Sequence, residues 1–299
     1  MANTLSNFIR EVWASDVQTL AMKKLVARSI CNFQFQAADG DTFHKPYNGD
    51  LSVGTYTRNA TSSAVATTDI ATTDEYLLVN QAKYASFYVD RLDQKQMYVS
   101  LEGKMKNRAA YLLMSTIDTA VLAEYANAGL QVDYLDVDGT KADGQPIVLT
   151  TSNVLDVLEQ MKSKLEVNGA YNDGDFFLVV DPNKYYTILE KYMASNGYKV
   201  QDSSVVSGYQ GKILDVEIYR SNNLSTSTIS TTSTTHWVGG KKGAITLVVQ
   251  QEPRVEVLDL PKNTDGTTRL GTEYILWTLY GIKTFAEGAR ELVDILIAA

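Results

Sequence analysis

Apolar residues recur at helical spacing near the N-terminus: Leu5, Phe8, Ile9, Val12 and Trp13, continued by Val17, Leu20, Ala21 and Leu25. The spacing predicts an amphipathic arm over residues 5–30, either docked on its own core or packed on a neighbouring subunit. After Asp39-Gly40-Asp41, a turn signal, the pattern changes to alternation. Thr42–Lys45 and Glu75–Asp90 read as strands, the second rich in β-branched and aromatic side chains. Between them Leu51–Asp74 is rich in Thr, Ser and Ala and thin in large apolar residues, so it cannot build a core of its own. Two strands joined by a long polar excursion make an extended hairpin. Such a ribbon is marginal alone in water, which points to ordering from outside the subunit.

Residues 93–128 carry the clearest helical signal. Asp93 with Gln96 resembles a capping box. Met105, Ala109, Leu112, Leu113, Ile117, Ala120 and Val121 form one apolar stripe. Gly129 suits a left-handed position after the helix end. At the α-helical rise this element would run about 50 Å, long for a globular domain. Strand and turn follow over 130–149, and Val154, Leu155, Leu158, Met161 and Leu165 then mark a helix face. Phe176–Val180 is wholly apolar, as in a buried strand. Asp181 caps a further helix with Pro182 in its first position, where a missing N–H costs nothing. Tyr185, Ile188, Leu189, Tyr192 and Met193 line its face, and Asn196-Gly197 ends it. Lys212–Arg220 alternates as a strand, while the Ser/Thr tract Ser225–Thr235 reads as an exposed loop. Arg254–Leu260 and Glu273–Phe285 read as strands, with Leu292–Ile297 a last short element. No repeat of fixed period is visible.

Composition narrows the chemistry. The 299 residues are 44% hydrophobic and 21% charged, enough to bury a core in one large domain or two ordinary ones. Lys and Arg number 27 against 35 Asp and Glu, a formal charge of -8 without a basic cluster. That disfavours a grip on nucleic-acid phosphates. The one cysteine, Cys31, excludes an internal disulfide and multi-cysteine metal sites, and reads as a small buried or half-buried thiol. The two histidines, His44 and His236, lie outside any nucleophile motif, and Gly-x-Ser-x-Gly is missing. Gly239-Gly240-Lys241-Lys242-Gly243 reads as a turn between strands, because it lacks the phosphate-loop spacing. Asp136, Asp138 and Gly139 fit the third, fifth and sixth places of a calcium loop, but Tyr134 and Gln145 occupy its first and twelfth. A plain polar turn is expected there. No stretch reaches the roughly 20 apolar residues of a bilayer span. Met1–Arg10 lacks the build of a secretory signal, so a soluble, reducing setting is expected. No catalytic residue, metal or cofactor is expected.

The order of parts is arm, polar hairpin, very long helix, α/β domain and return strands. It resembles the major capsid proteins of tailed double-stranded DNA phages, with the Hong Kong 97-like α+β fold. The local wording also resembles that family at Asn7–Trp13, Gly40–Pro46, Gln81–Asp90, Gly211–Leu224 and Tyr280–Thr284. The resemblance implies an N-arm over 1–38, an E-loop hairpin over 39–90 and a P-domain with spine helix over 91–130 and 254–285. The A-domain would comprise 131–253 and 286–299. It implies a virion shell subunit, assembling in the host cytoplasm into pentamers and hexamers, with a separate scaffolding protein, a portal and a decoration protein as partners. With the E-loop expected to begin near residue 42, any scaffold is expected to be a separate chain, unlike the fused segment of some relatives. Sequence-specific nucleic-acid binding and membrane association are not expected. Candidate interface residues are Phe8, Trp13, Phe43, Tyr47, Tyr56, Arg58, Tyr84 and Phe87. Some relatives cross-link an E-loop lysine to a neighbour's asparagine. Here the ribbon lysines are Lys45 and Lys83, one near each end, so a non-covalent shell is expected. The alternatives are an encapsulin-type nanocompartment shell, which shares the fold, and a calcium-binding module around Asp133–Asp143.

Overall fold

The computed structural model describes residues 25–34, 40–48, 51, 53–56, 58, 72–96, 102–139, 142–170, 175–195 and 212–299, with backbone alone at 34, 189–195 and 212–213. Helix α1 (Ala27–Ile30) and strand β1 (Asn32–Gln34) lead to a ribbon of β2 (Thr42–Asn48) and β3 (Thr72–Leu78). Strand β4 (Gln81–Asp90) and helix α2 (Arg91–Gln96) precede the long helix α3 (Glu102–Leu122), which tightens into a 3-10 turn at Ala123–Asn127. Then come β5 (Leu130–Val132), α4 (Tyr134–Asp138), α5 (Val154–Val167), β6 (Phe176–Val180) and α6 (Pro182–Ser195). The last third holds β7 (Lys212–Ile213), β8 (Val216–Arg220), β9 (Thr226–Ile229), β10 (Thr232–Lys241), β11 (Ile245–Asp259), β12 (Gly271–Thr284), α7 (Ala286–Arg290) and β13 (Leu292–Ala298).

These strands form three sheets. The largest runs β5-β13-β10-β6-β8-β7, with β9 on β10; a second runs β1-β11-β12-β4; the ribbon β2-β3 is the third. The apolar run of β6 explains its place, since it is buried on both faces. Phe176, Leu178 and Val180 join Val157, Leu158, Met161 and Leu165 of α5. Phe177 and Val179 turn the other way, onto Ile117, Val121 and Leu122 of α3 and Leu247 of β11. The second cluster thus ties the large sheet to the long helix and to the four-stranded sheet. Each such buried side chain contributes about 1.5–3 kcal/mol, so this seam is the cohesive centre of the chain.

Several elements depart from the sequence pattern. The run Glu75–Asp90 breaks at Val79-Asn80: β3 stays in the ribbon, whereas β4 pairs with β12 along its whole length. The helix expected over 93–128 starts earlier, at Arg91, and is described as α2 and α3, with 97–101 outside the described residues. Asp90, not Asp93, accepts the Leu92 N–H at 2.8 Å at the first helix start. Gly129 is not left-handed, because Ala128 leaves the 3-10 turn in extended geometry. A Cβ at Gly129 would lie 2.7 Å from the Ala289 carbonyl oxygen, so close approach explains the glycine. Lys212–Arg220 is a hairpin, turned by Leu214 and Asp215, both at positive φ. The Ser/Thr tract is likewise a hairpin, β9–β10, turned at Ser230-Thr231. Gly239 and Gly240 lie inside β10, and the turn falls at Lys242-Gly243. The Asn196-Gly197 stop and arm residues 5–24 lie outside the described residues.

Candidate interaction surface

Seven antiparallel pairs hold the ribbon, from Thr42↔Leu78 to Asn48↔Thr72. Among the described residues its base is what packs on the body. Phe43, Leu77 and Val79 pack there on Val248, Leu279 and Phe285. The Val79 N–H donates to the Asp41 carbonyl at 2.7 Å, and Lys283 Nζ donates to the Tyr76 carbonyl at 2.8 Å. Lys45 lies with its ammonium 5.1 Å from the Phe285 ring centre. Farther out the apolar contacts end: Pro46, Asn48 and Thr72 to Asp74 are exposed. Leu51 and Tyr56 beyond them are 69% and 65% exposed. Apolar side chains left in water beside a rigid body are what a partner surface can bury.

The structure separates the predicted interface residues into two kinds. Tyr56 and Arg58 are exposed beyond the ribbon strands. Tyr84 projects from β4, 74% exposed. Phe43 instead belongs to the ribbon's own anchor, and Phe87 stacks on Tyr274 at 5.0 Å beside Leu113 and Leu276. These two hold the subunit together internally. Tyr47 is half-buried within the ribbon. Phe8 and Trp13 lie outside the described residues.

Two polar centres escaped the sequence pattern. Asp118, on the apolar face of α3, is 1% exposed. Its Oδ1 accepts the N–H groups of Val26 and Ala27 at 2.7 and 2.8 Å, and its Oδ2 accepts Asn223 Nδ2 at 2.8 Å. One carboxylate therefore clasps the entry of the chain, the long helix and the large-sheet domain. His236 is buried on β10, bonded on both ring nitrogens and stacked on Tyr125 at 3.9 Å. Neither residue has a local sequence signal, since its partners come from distant segments.

The remaining titratable groups serve packing. Burial first, then the Asp118 and Glu124 carboxylates, push the Cys31 thiol well up, so it stays protonated and unreactive. A hydrogen bond to Glu102, then burial, pushes the Tyr274 phenol up to about 12, while the Lys106 ammonium sits 4.3 Å from its ring centre. The aspartate-rich turn is a capped helix. Asp133 and Asp136 form a capping box on α4, Asp133 also accepts the Gly144 N–H, and Lys164 pairs with Asp136 at 2.5 Å. Asp138 in turn accepts from the Tyr134 hydroxyl, so these carboxylates already have partners and the calcium-module alternative is not favoured. Among the described residues no three His, Cys, Asp or Glu side chains group as a metal site. No described helix is long and apolar enough to cross a membrane.

A rigid two-sheet body, a long helix across it and a ribbon anchored at one end suit a subunit built to contact others. The sequence model of the family described as "Phage capsid protein" matches residues 100–293. The chain belongs to the phage capsid protein family.

Similar solved structures give the same fold. A Mycobacterium phage Che8 chain is 20% identical, with 97% of each chain covered and a TM-score of 0.74. The capsid structure of Cyanophage P-SCSP1u is 12% identical, covering 100% of this chain and 95% of that one at TM-score 0.75. The Cyanophage Pam1 capsid is 11% identical, covering 100% and 98% at TM-score 0.74. No curated protein sequence matches the chain. The architecture is thus the Hong Kong 97-like fold, and the capsid protein is a major shell subunit of the virion. The phage matches favour this reading over an encapsulin-type shell.

Proposed function

We propose that the capsid protein assembles through its ribbon, which makes mainly intersubunit contacts and closes the shell without covalent cross-links. The observation that carries this is the ribbon's one-ended anchorage: Leu77 and Val79 are buried at its base, whereas Leu51 and Tyr56 stay largely exposed. Tyr56, Arg58 and Tyr84 are the proposed contact residues. Burial of their exposed surface on a neighbour would stabilise the ribbon as assembly proceeds, coupling order to association. Lys45 is folded back on Phe285 at the base, away from the reach an intersubunit amide would need. We further propose pentamers and hexamers assembled in the host cytoplasm with scaffolding, portal and decoration proteins. Nothing in this scheme requires catalysis by the subunit.

Deleting residues 51–71 tests the proposal. The deletion leaves Gly49-Asp50 to join Asn48 to Thr72, which are paired in the ribbon. Glycine first in a two-residue loop suits a tight hairpin. The variant is expected to stay soluble, to melt as the parent does and to form no closed shells by sedimentation and electron microscopy. Shells of normal size from this variant would overturn the proposal. Particles boiled in detergent with reductant are expected at the monomer mass.

A further inference from the structure

Three adjacent strands place Ser227, His236 and Asp294 in one diagonal line. On β10, His236 stands opposite Leu296 of β13, so Asp294, two residues away, is its diagonal neighbour. On the other side Ser227 of β9 pairs with Thr234, again two residues from His236. Diagonal neighbours on one sheet face lie within reach of long side chains. The contacts are made: Ser227 Oγ is 2.7 Å from His236 Nε2, and Nδ1 is 2.9 and 3.0 Å from the two Asp294 oxygens.

Activation of the serine needs one particular arrangement of the ring protons. A carboxylate only accepts, so Nδ1 carries hydrogen toward Asp294. In the neutral form of that tautomer the lone pair at Nε2 faces the Ser227 hydroxyl, which donates to it. Tyr125 stacks on the imidazole with planes 21° apart, which limits ring rotation. His236 and Asp294 are 5% and 7% exposed, whereas Ser227 is partly exposed on a strand that pairs only with β10 among the described residues. A base oriented by a buried carboxylate, with its hydroxyl partner on a partly exposed edge residue, is the arrangement that activates a serine.

We propose that Ser227 is an activated nucleophile that accepts acyl groups from activated carboxylic esters. Its Oγ attacks the ester carbonyl while the hydroxyl proton passes to His236 Nε2. The tetrahedral adduct collapses with loss of the ester alkoxide, which leaves as the alcohol after taking that proton back. The product is an acyl ester on Ser227, with no change of oxidation state. Asp294 acts through His236, as a positioning residue that stabilises the imidazolium.

The test uses a fluorophosphonate, which such serines take up stoichiometrically: the Oγ–P bond forms, P–F breaks and fluoride leaves. The purified full-length protein is treated and followed by intact mass and peptide mapping. One adduct per chain is expected on Ser227, forming at least about tenfold faster than any on Ser225 or Ser230 of the same hairpin, which serve as internal controls. Ser227→Ala should remove the adduct. Asp294→Asn should slow it at least about tenfold, since the wrong tautomer disables the base. Labelling of Ser227 at the rate of Ser225 and Ser230 in the parent protein would overturn the proposal whether or not the variants fold. An unchanged rate in folded Asp294→Asn would overturn it too.

Discussion

The seam around β6 and the ribbon β2–β3 are both strand structure, yet they are stabilised by different means. Around β6, successive side chains enter two different clusters, and Phe176 to Val180 are all fully buried. In the ribbon, Phe43, Leu77 and Val79 hold one end, polar and cation–ring contacts of Lys45, Glu75 and Tyr76 reach the body beside it, and, Tyr47 apart, the described residues farther out are exposed. A hairpin of that kind contributes little net stability by itself. The difference teaches where cohesion is needed. The body must be stable before neighbours arrive. In the proposed assembly the ribbon leaves its outer surface free, because surface buried within the monomer is lost to contacts with neighbours.

The comparison breaks most visibly in the body. Leu113, on α3, is 3% exposed and packs on Ala109 and Leu276. Leu113→Asp puts an unpaired charge there, at a cost of several kcal/mol. Insoluble protein is expected, and a soluble variant with the parent melting temperature would show the stripe is not structural. Asp118→Ala should have the next largest effect. It strands the Val26 and Ala27 N–H groups and the Asn223 amide, all bonded to the carboxylate. About 3 kcal/mol is expected from chemical denaturation. A loss under about 0.5 kcal/mol would mean that this clasp is dispensable.

Which parts were legible follows from where each residue's reason lies. The apolar run of β6 and the stripe of α5 state their burial locally, and both elements fall where the pattern placed them. Gly239 and Gly240 misled because their reason is remote. A Cβ would meet Met161 Sδ at 2.5 Å in the first case and the Glu291 carbonyl oxygen at 2.3 Å in the second. The tract Ser225–Thr235 looked like a loop because hydroxyl side chains suit both turns and strands. Its pairing with the buried β10 sheet decided the matter. At Val79-Asn80 the alternation continues while the partner strand changes from β2 to β12, a switch that periodicity cannot register. Of the candidate surface, exposed Tyr56 and Tyr84 could be picked by residue type, but Phe43 and Phe87 could not be told apart from them. An aromatic on an alternating strand looks alike whether its partner is in the same chain or the next.

Tyr84→Ser sharpens the contrast at smaller amplitude. The side chain is 74% exposed on β4, opposite Trp277. Stability of the unassembled subunit should change by no more than about 0.5 kcal/mol. Shell yield at limiting protein concentration should fall. A lowered melting temperature with unchanged yield would place Tyr84 in the body's economy instead of the interface.

The smallest effect is expected inside the ribbon itself. His44 Nδ1 and Asp74 Oδ2 lie 2.7 Å apart across the two strands, with side chains 57% and 58% exposed. The geometry is good, but both groups are well hydrated, and exposed ion pairs contribute about 0–1 kcal/mol. His44 and Asp74 are also not directly opposite, since His44 pairs with Tyr76 and Asp74 with Pro46. The contact is therefore diagonal, reached by two side chains that give up rotamer freedom to make it. Asp74→Asn keeps the shape and removes the charge. It should leave both the melting temperature and the shell yield of the capsid protein within error of the parent. A clear drop in the melting temperature of the unassembled subunit would mean that the ribbon holds itself through such pairs. In that case the ribbon would be a self-ordered element, and the contrast with the β6 seam would be one of degree.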